Sequence, residues 1–208
     1  MSEKTPKLRF KDENGGEFPE WEETTLGELS KPLTYGLNVA AIDYDGENKY
    51  IRITDIDEQS HRYIDSNKVS PAGSISEDYR VREGDILFAR TGASTGKSYM
   101  YRKEDGKMYY AGFLIRALIK KGYDHRFVFY QTLTRKYKNW VSVMSMRSGQ
   151  PGINAKEYSS FKFYTPSLKE QQKIADYLSA IDRKIEKEKE KLEALEEQKK
   201  GFLQQMFV

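Results

Sequence analysis

The sequence contains no cysteine and only two histidines, His61 and His125, among its 208 residues. The first absence excludes disulfide bonds, cysteine nucleophiles and zinc–thiolate sites, and the second excludes a histidine-rich metal site. No apolar run approaches the 18 residues of a membrane-spanning helix, because the best, at 111–119, is broken by Arg116. The first ten residues are charged and lack the apolar core of a signal peptide. These absences predict a soluble, cytoplasmic protein without a metal site.

The net charge is only +3, but the charges are distributed unevenly along the chain. Residues 1–78 carry a charge of −8, residues 79–166 carry +11, and residues 167–208 are neutral. A local excess of positive charge is typical of proteins that bind a polyanion such as nucleic acid. Pairing between the acidic and the basic halves is the alternative explanation.

Most aromatic residues, 24 of 27, precede residue 167, so the globular part is expected to end near Pro166. Alternating or continuous apolar residues predict strands at 50–53, 85–89, 99–101, 113–115 and 161–165. Between Tyr123 and Met144, apolar residues recur at three- and four-residue steps, which predicts one amphipathic helix with Asp124 as its N-cap.

These boundaries predict a mixed α/β (α+β) globular domain followed by a long coiled-coil helix. The expected division is an N-terminal extension at 1–19, a globular domain at 20–166 and a helical arm at 167–208. In the arm, Ser167 and Glu170 have the form of a capping box. Ten arm positions spaced by three and four residues form a seam, eight of them apolar: Ile174, Leu178, Ile181, Ile185, Glu188, Leu192, Leu195, Lys199, Phe202 and Met206. A seam sustained over more than four heptads is typical of a coiled coil.

A single apolar stripe on an otherwise charged helix is not stable alone in water, so the arm needs a partner. We expect this partner to be a helix of a second copy or of another chain. The alternative is a helix that folds back on its own domain. Glu188 and Lys199 interrupt the seam and can pair across it to set the register, and an antiparallel pairing is one way to do this.

Three segments, called here the first, second and third loops, are small and polar, and the second and third are also basic. They span 33–38, 89–98 and 146–156. Glycine lets the backbone approach a phosphate closely, hydroxyl groups donate to its oxygens, and Arg, Gln and Asn can bind base edges. The candidate DNA contacts on these loops are Tyr35, Asn38, Arg90, Thr91, Ser94, Thr95, Lys97, Ser98, Arg147, Gln150 and Asn154. Ordinary turn chemistry is the alternative, because loops are generally rich in Gly and Ser.

The second loop is similar to a phosphate-binding P-loop, but only three residues separate Gly92 from Gly96 where four are required. This spacing excludes an NTPase. All six prolines are isolated, so the motif of a DNA amino-methyltransferase, Asn or Asp followed by Pro-Pro and an aromatic residue, is absent.

A group of four residues, Asp43, Asp45, Glu47 and Lys49, can imitate the metal site of a nuclease. The same stretch also has the composition of a plain turn. The alternative function is therefore a divalent-metal-dependent nuclease, or a phosphate-ligand-binding enzyme that uses the same loops.

Several short motifs follow one another along nearly the whole chain. They are PKLRF at 6–10, WE at 21–22, LGEL at 26–29, YIRITDI at 50–56, GDILFARTG at 84–92, GFLIR at 112–116, QPGIN at 150–154, PSL at 166–168, EQQKIA at 170–175 and QQMF at 204–207. In this order they resemble the motifs of type I restriction–modification specificity subunits. The resemblance implies a target-recognition domain at about 20–166 and a helical spacer at 167–208.

In that family the subunit has no catalytic site of its own. It recognises double-stranded DNA and positions adenine-methylating modification subunits and, in the larger assembly, ATP-driven restriction subunits. The resemblance therefore implies that S-adenosylmethionine, ATP and Mg²⁺ bind to partner subunits and that this chain holds no cofactor. Lys97 is then expected to hold a phosphate, and Arg90, Arg147 and Gln150 are expected to reach base edges.

The chain departs from the family pattern in its length. The family usually carries two recognition domains and two spacer helices in one chain, whereas this chain has one of each. A half-length chain can reproduce that layout as a two-fold homodimer in which the seams of two helices cover each other. We expect a palindromic, bipartite target for such a dimer.

Overall fold

The computed structural model describes residues 6–146 and 149–207, which form a mixed α/β domain followed by a long C-terminal helix. Within these ranges there are ten strands: β1 (Glu22–Thr25), β2 (Thr34–Tyr35), β3 (Ala41–Asp43), β4 (Lys49–Ile51), β5 (Val69–Pro71), β6 (Asp85–Ala89), β7 (Ser98–Met100), β8 (Met108–Tyr110), β9 (Leu114–Leu118) and β10 (Lys162–Thr165). The five α-helices of the described residues are α1 (Leu26–Leu29), α2 (His125–Gln131), α3 (Arg135–Met144), α4 (Ala155–Ser159) and α5 (Leu168–Met206). The predicted mixed α/β domain with a long C-terminal helix is confirmed, and the coiled-coil pairing of that helix stays a prediction.

The central sheet has four antiparallel strands in the order β2–β9–β6–β7. Strand β6 is buried along its whole length, because both faces of the sheet are covered. Ile86 and Phe88 face a cluster that also contains Phe127 of α2, whereas Leu87 and Ala89 face a second cluster on the other side. The prediction of a fully buried strand at 85–89 is thus confirmed.

Three smaller strand pairs surround this sheet: β3 with β5 and β1 with β10, both antiparallel, and β4 with β8, which is parallel. The pairing of β1 with β10 joins the two ends of the domain, since Glu22 lies opposite Thr165. Helix α5 begins three residues later and therefore leaves the domain from this junction.

The expectation of a single helix between Tyr123 and Met144 is wrong. Asp124 does cap α2, because its side chain accepts hydrogen bonds from the N–H groups of Arg126 and Phe127. The helix then ends at Gln131, and the hydroxyl of the C-cap residue, Thr132, donates to the carbonyl of Phe129 over 2.6 Å. Thr134 starts α3 as a new N-cap. Two threonine hydroxyls thus divide a continuous apolar pattern.

Helix α5 spans 39 residues, as the heptad pattern predicted, but the expected capping box at its start does not form. The hydroxyl of Ser167 makes no capping hydrogen bond. The side chain of Glu170 is fully buried and receives two hydrogen bonds from the guanidinium of Arg9, at 3.0 and 2.7 Å. A residue 161 positions away has therefore displaced the local cap.

The N-terminal segment packs against one side of the α5 base. Besides the Arg9–Glu170 ion pair, the Lys173 ammonium donates to the carbonyl of Lys11 over 2.7 Å. The rings of Phe10 and Tyr177 meet edge to face at 5.7 Å. The segment at 9–18 therefore contacts the first three turns of the helix.

The globular domain contacts another side of the same helix. Arg126 pairs with Asp176 at 2.7 Å, and the Tyr130 hydroxyl donates to Asp182 over 2.6 Å. Arg62 then pairs with Glu186 at 2.9 Å. The domain thus fixes the direction of α5 over about five turns.

The seam of α5 divides into a covered part and an exposed part. Ile174 packs against the large core cluster and Leu178 is half-buried, so the first two seam residues are covered by their own domain, contrary to the expectation of a partner helix. The remaining apolar seam residues are 40–74% exposed: Ile181, Ile185, Leu192, Leu195, Phe202 and Met206. Among the described residues, no helix combines the length and apolar character needed to cross a membrane.

Candidate nucleic-acid interface

The three loops singled out from the sequence meet at one place, called here the loop junction. The carbonyl of Arg90 in the second loop accepts from the N–H of Ile153 in the third loop over 2.9 Å. The hydroxyl of Tyr35 in the first loop accepts from the N–H of Ala155 over 3.2 Å. Backbone and side-chain hydrogen bonds thus join residues of different loops that are 63 and 120 positions apart in sequence.

The first loop reaches the junction because Gly36 permits an unusually close backbone approach. A Cβ atom at this position would lie 2.3 Å from the carbonyl oxygens of both Tyr110 and Ala111. The next residue, Leu37, donates its N–H to the carbonyl of Tyr110 over 2.9 Å. A side chain at Gly36 would therefore push the first loop away from β8.

Two buried tyrosines, one from α3 and one from α4, hydrogen-bond to the backbone of the second loop. The Tyr158 hydroxyl donates to the carbonyl of Ala89 over 2.6 Å and accepts from the N–H of Gly96 over 3.1 Å. The Tyr137 hydroxyl donates to the carbonyl of Gly96 over 2.9 Å. Burial raises the pKa of both phenols, so that they stay protonated and able to donate. The loop is thus a rigid support for the side chains that it carries.

Arg90 lies at the centre of the loop junction. Its guanidinium carbon is 5.1 Å from the ring centre of Tyr35 and 5.9 Å from that of Phe113, distances at which a cation is attracted to an aromatic face. Its buried Nε atom has no hydrogen-bond partner within the described residues. The two rings thus hold the guanidinium of Arg90 within the junction.

Phe113 also lies at the junction, although it is not among the contacts predicted from the sequence. The apolar pattern predicts a strand at 113–115, but β9 begins at Leu114 and Phe113 is 59% exposed in the preceding turn. The signal in the sequence is an aromatic residue directly after Gly112, where a turn rather than a strand is expected.

Several of the predicted contacts are accessible at the junction. Asn38 and Gln150 are exposed, and Thr91 and Ser94 are half-buried. The Gln150 amide nitrogen lies 3.3 Å from the position that a Cβ atom on Gly92 would occupy, so this side chain extends over the second loop. Arg147 lies outside the described residues.

Two of the predicted contacts do not face solvent and are corrected here. The Lys97 side chain is only 8% exposed, and its ammonium donates to the carbonyl of Ile56 and pairs with Glu58 at 2.5 Å. Ser98 is fully buried and its hydroxyl is hydrogen-bonded to that of Thr132. Both side chains stabilise the domain, because their polar groups bond to other residues of the domain.

Two other predicted contacts, Thr95 and Asn154, use the polar groups that were expected to bind DNA for hydrogen bonds within the loops. The Thr95 hydroxyl donates to the carbonyl of Gly92 over 2.7 Å. The Asn154 side-chain oxygen accepts from the N–H of Glu157 over 2.9 Å and caps α4. A bidentate contact from Asn154 to a base edge is therefore blocked unless this cap is broken.

Positive charge surrounds the third loop. The segment 125–156 contains six Lys and Arg residues and no Asp or Glu. Within it, Arg135, Lys136 and Lys138 of α3 are exposed, and so is Lys156 of α4. Helix α3 leads directly into the third loop, so three of these cations precede the loop in sequence and Lys156 lies at its end.

The group of acidic residues that imitates a nuclease site behaves as a turn. The carboxylate of Asp45 accepts from the N–H groups of Glu47 and Asn48, which holds its pKa far below the usual range. Lys49 pairs with Asp65 at 2.8 Å and Glu47 pairs with Lys107 at 2.7 Å. Over 6–146 and 149–207, no three His, Asp or Glu side chains come close enough together to hold a metal ion.

A family described as the type I restriction modification DNA specificity domain matches residues 19–197. The chain belongs to this family. The match covers the whole globular domain and most of α5, so both parts of the fold are features of the specificity family.

Individual members of the specificity family show how much of a subunit this chain represents. The MjaVIII specificity subunit of Methanocaldococcus jannaschii is 25% identical over 95% of this chain, which covers 44% of that protein. The putative MjaX specificity subunit of the same organism is 28% identical over 95% of this chain and 48% of that protein. A solved structure of a type I restriction–modification S subunit from M. genitalium superimposes on 88% of this chain and 43% of its own, with a TM-score of 0.61 and 17% identity. The chain thus spans about half the length of these relatives and has the fold of the matched part of the M. genitalium subunit.

Proposed function

We propose that this chain is a DNA-recognition unit of a type I restriction–modification complex, in which the loop junction binds one part of a double-stranded target. The observation that supports this most strongly is the convergence of three separate loops around Arg90, next to a segment of 32 residues without an acidic side chain. Such a surface combines groups that can bind base edges with cations that attract phosphates.

The proposed contacts divide by chemistry. Gln150 and Asn38 are exposed amides suited to base edges, and Arg90 presents a guanidinium that is already oriented by two rings. The exposed cations Arg135, Lys138 and Lys156 are suited to phosphates. Arg147 stays a proposed base contact on sequence grounds, while Lys97 and Ser98 leave the proposed interface.

The proposed partners follow from membership in the family. Modification subunits, with S-adenosylmethionine, would methylate adenine, and restriction subunits, with ATP and Mg²⁺, would cleave DNA. This chain would carry out neither reaction. A second copy of the chain, joined through the exposed seam of α5, would supply the second half of a palindromic target.

Selection of bound sequences from random duplex DNA, with the modification subunits present, tests the proposal. Gln150→Ala should relax specificity at one base pair by about 1–3 kcal/mol, because it removes a contact to one base edge. Lys156→Ala should weaken all sequences alike and reduce the salt dependence of log K by about one unit, because a phosphate contact carries no base information.

Gln198→Ala is the matched control, since it removes the same amide from an exposed position on distal α5 and should change neither quantity. If Gln150→Ala behaves like this control, the third loop does not bind bases. If DNA cleavage by the isolated chain appears on addition of Mg²⁺, the nuclease alternative replaces the proposal.

A further inference from the structure

The exposed part of the α5 seam has an internal symmetry. Its eight positions are Ile181, Ile185, Glu188, Leu192, Leu195, Lys199, Phe202 and Met206. These positions are symmetric about the midpoint between residues 193 and 194. The two charged positions, one acidic and one basic, are symmetric about the same point.

From this pattern we infer that α5 pairs with α5 of a second copy in one antiparallel register, with the two-fold axis between residues 193 and 194. The inference rests on the proposed pairing of α5 and specifies its geometry. Facing residues are then Ile181 with Met206, Ile185 with Phe202, Glu188 with Lys199 and Leu192 with Leu195. Every apolar residue faces an apolar residue, and each charge faces its opposite.

The pair of Glu188 with Lys199 favours this register over slipped antiparallel pairings and over a parallel pairing. Sliding the helices by one heptad in either direction places Glu188 opposite Leu192 or opposite Met206, which buries an unpaired charge. A parallel pairing in register places Glu188 opposite Glu188 and Lys199 opposite Lys199, which is repulsive. Beside the seam, the antiparallel register also brings Lys189 close to Glu196 of the second copy.

The distal part of α5 exposes an apolar surface that a second helix could cover. The apolar residues of the distal seam are 40–74% exposed, and a shallow apolar depression lies between Ile181, Ile185 and Leu192. Among the described residues, the last ion pair between α5 and the globular domain is that of Arg62 with Glu186. The first two residues of the paired section, Ile181 and Ile185, lie in the last turns that the domain contacts, and the rest of the section lies beyond Glu186.

Cysteine cross-linking of the full chain, without DNA, tests the register, because the chain has no cysteine of its own. Mixing Ile181→Cys with Met206→Cys should give a cross-linked dimer on mild oxidation. Neither variant should cross-link with itself, because its two copies would lie roughly 37 Å apart at 1.5 Å per residue. Self-cross-linking of Ile181→Cys would indicate a parallel pairing. Cross-linking of Ile181→Cys with Lys199→Cys would indicate a slipped one, and either result overturns the inference.

A charge exchange tests the same register without changing an apolar residue. Glu188→Lys or Lys199→Glu alone should raise the dimer dissociation constant, measured by sedimentation equilibrium, by tenfold or more, because like charges face each other at two places. The variant that carries both changes should return close to the wild-type value. Equal dissociation constants for all four proteins, or a wild-type monomer at micromolar concentration, would overturn the register. The DNA-selection result is separate, since it depends on the loop junction.

Discussion

Replacing Arg9 by methionine is expected to lower the free energy of unfolding by about 3–5 kcal/mol. The Glu170 side chain is fully buried, and Arg9 is its ion-pair partner, with two hydrogen bonds. The same guanidinium also donates to the carbonyls of Phe18 and Pro19. Methionine preserves much of the side-chain volume but leaves a buried carboxylate without a counter-ion, which is the costly way to break such a pair.

Lys11→Met is the matched control. Lys11 forms an ion pair with Glu17 in the same segment, but both side chains are more than half exposed. Exposed pairs contribute about 0–1 kcal/mol, so this variant should lose no more than that. A double variant, Arg9→Met with Glu170→Met, should regain much of the loss, because it removes the buried charge as well as its partner.

Urea unfolding followed by circular dichroism measures all four proteins, at one protomer concentration because dimer formation would affect stability. Equal losses for Arg9→Met and Lys11→Met would refute the reasoning. So would a double variant less stable than Arg9→Met, since the buried carboxylate could not then be the cause.

Two further substitutions test other parts of the domain. Burial raises the pKa of the Asp85 carboxyl to about 6, above the value of about 3.9 in an unfolded chain. Because the folded state therefore binds this proton more tightly, the free energy of unfolding should fall by about 3 kcal/mol as the pH rises from about 4 to 6. In Asp85→Asn, urea unfolding at several pH values should show a smaller fall, and an unchanged pH dependence would contradict this. Gly96→Ala would place a Cβ 2.4 Å from Val141 at a φ of 92°, whereas Gly46→Ala meets similar strain at 90° with no atom within 4 Å. In thermal unfolding, Gly96→Ala should lower the free energy of unfolding by about 1–3 kcal/mol more than Gly46→Ala does. Equal losses would mean that the second loop moves to accommodate the added Cβ atom.

The sequence predicted those features whose causes are local. The spacing of apolar residues along α5 is set by the helical repeat, so the helix could be placed to within a residue or two. The continuous apolar run of β6 likewise indicated burial on both faces. The composition of three loops marked them as candidates, but nothing in the sequence showed that they meet or which side chains point outward.

The errors arose where distant residues compete for a polar group. Lys97 looked like a phosphate ligand, but Glu58 and the carbonyl of Ile56 take its ammonium. The side chain of Glu170 looked like a helix cap, but Arg9 binds it instead. A continuous apolar pattern concealed the break at Thr132, whose hydroxyl bonds both within its own turn and to Ser98. Partners that are far apart in sequence cannot be inferred from spacing.

The ion pairs at the base of α5 also have a mechanical consequence. About twenty residues of the helix extend beyond Glu186, which corresponds to roughly 30 Å. A change of only 10° in the direction of the base would move the far end by roughly 5 Å, more than the spacing of about 3.4 Å between neighbouring bases of one strand. A small rotation at the base of the helix, where Arg62, Arg126 and Tyr130 hold it, thus becomes a large displacement of its far end. In the proposed dimer, substitutions there, remote from the loop junction and from the distal seam, would change the separation between the two target segments.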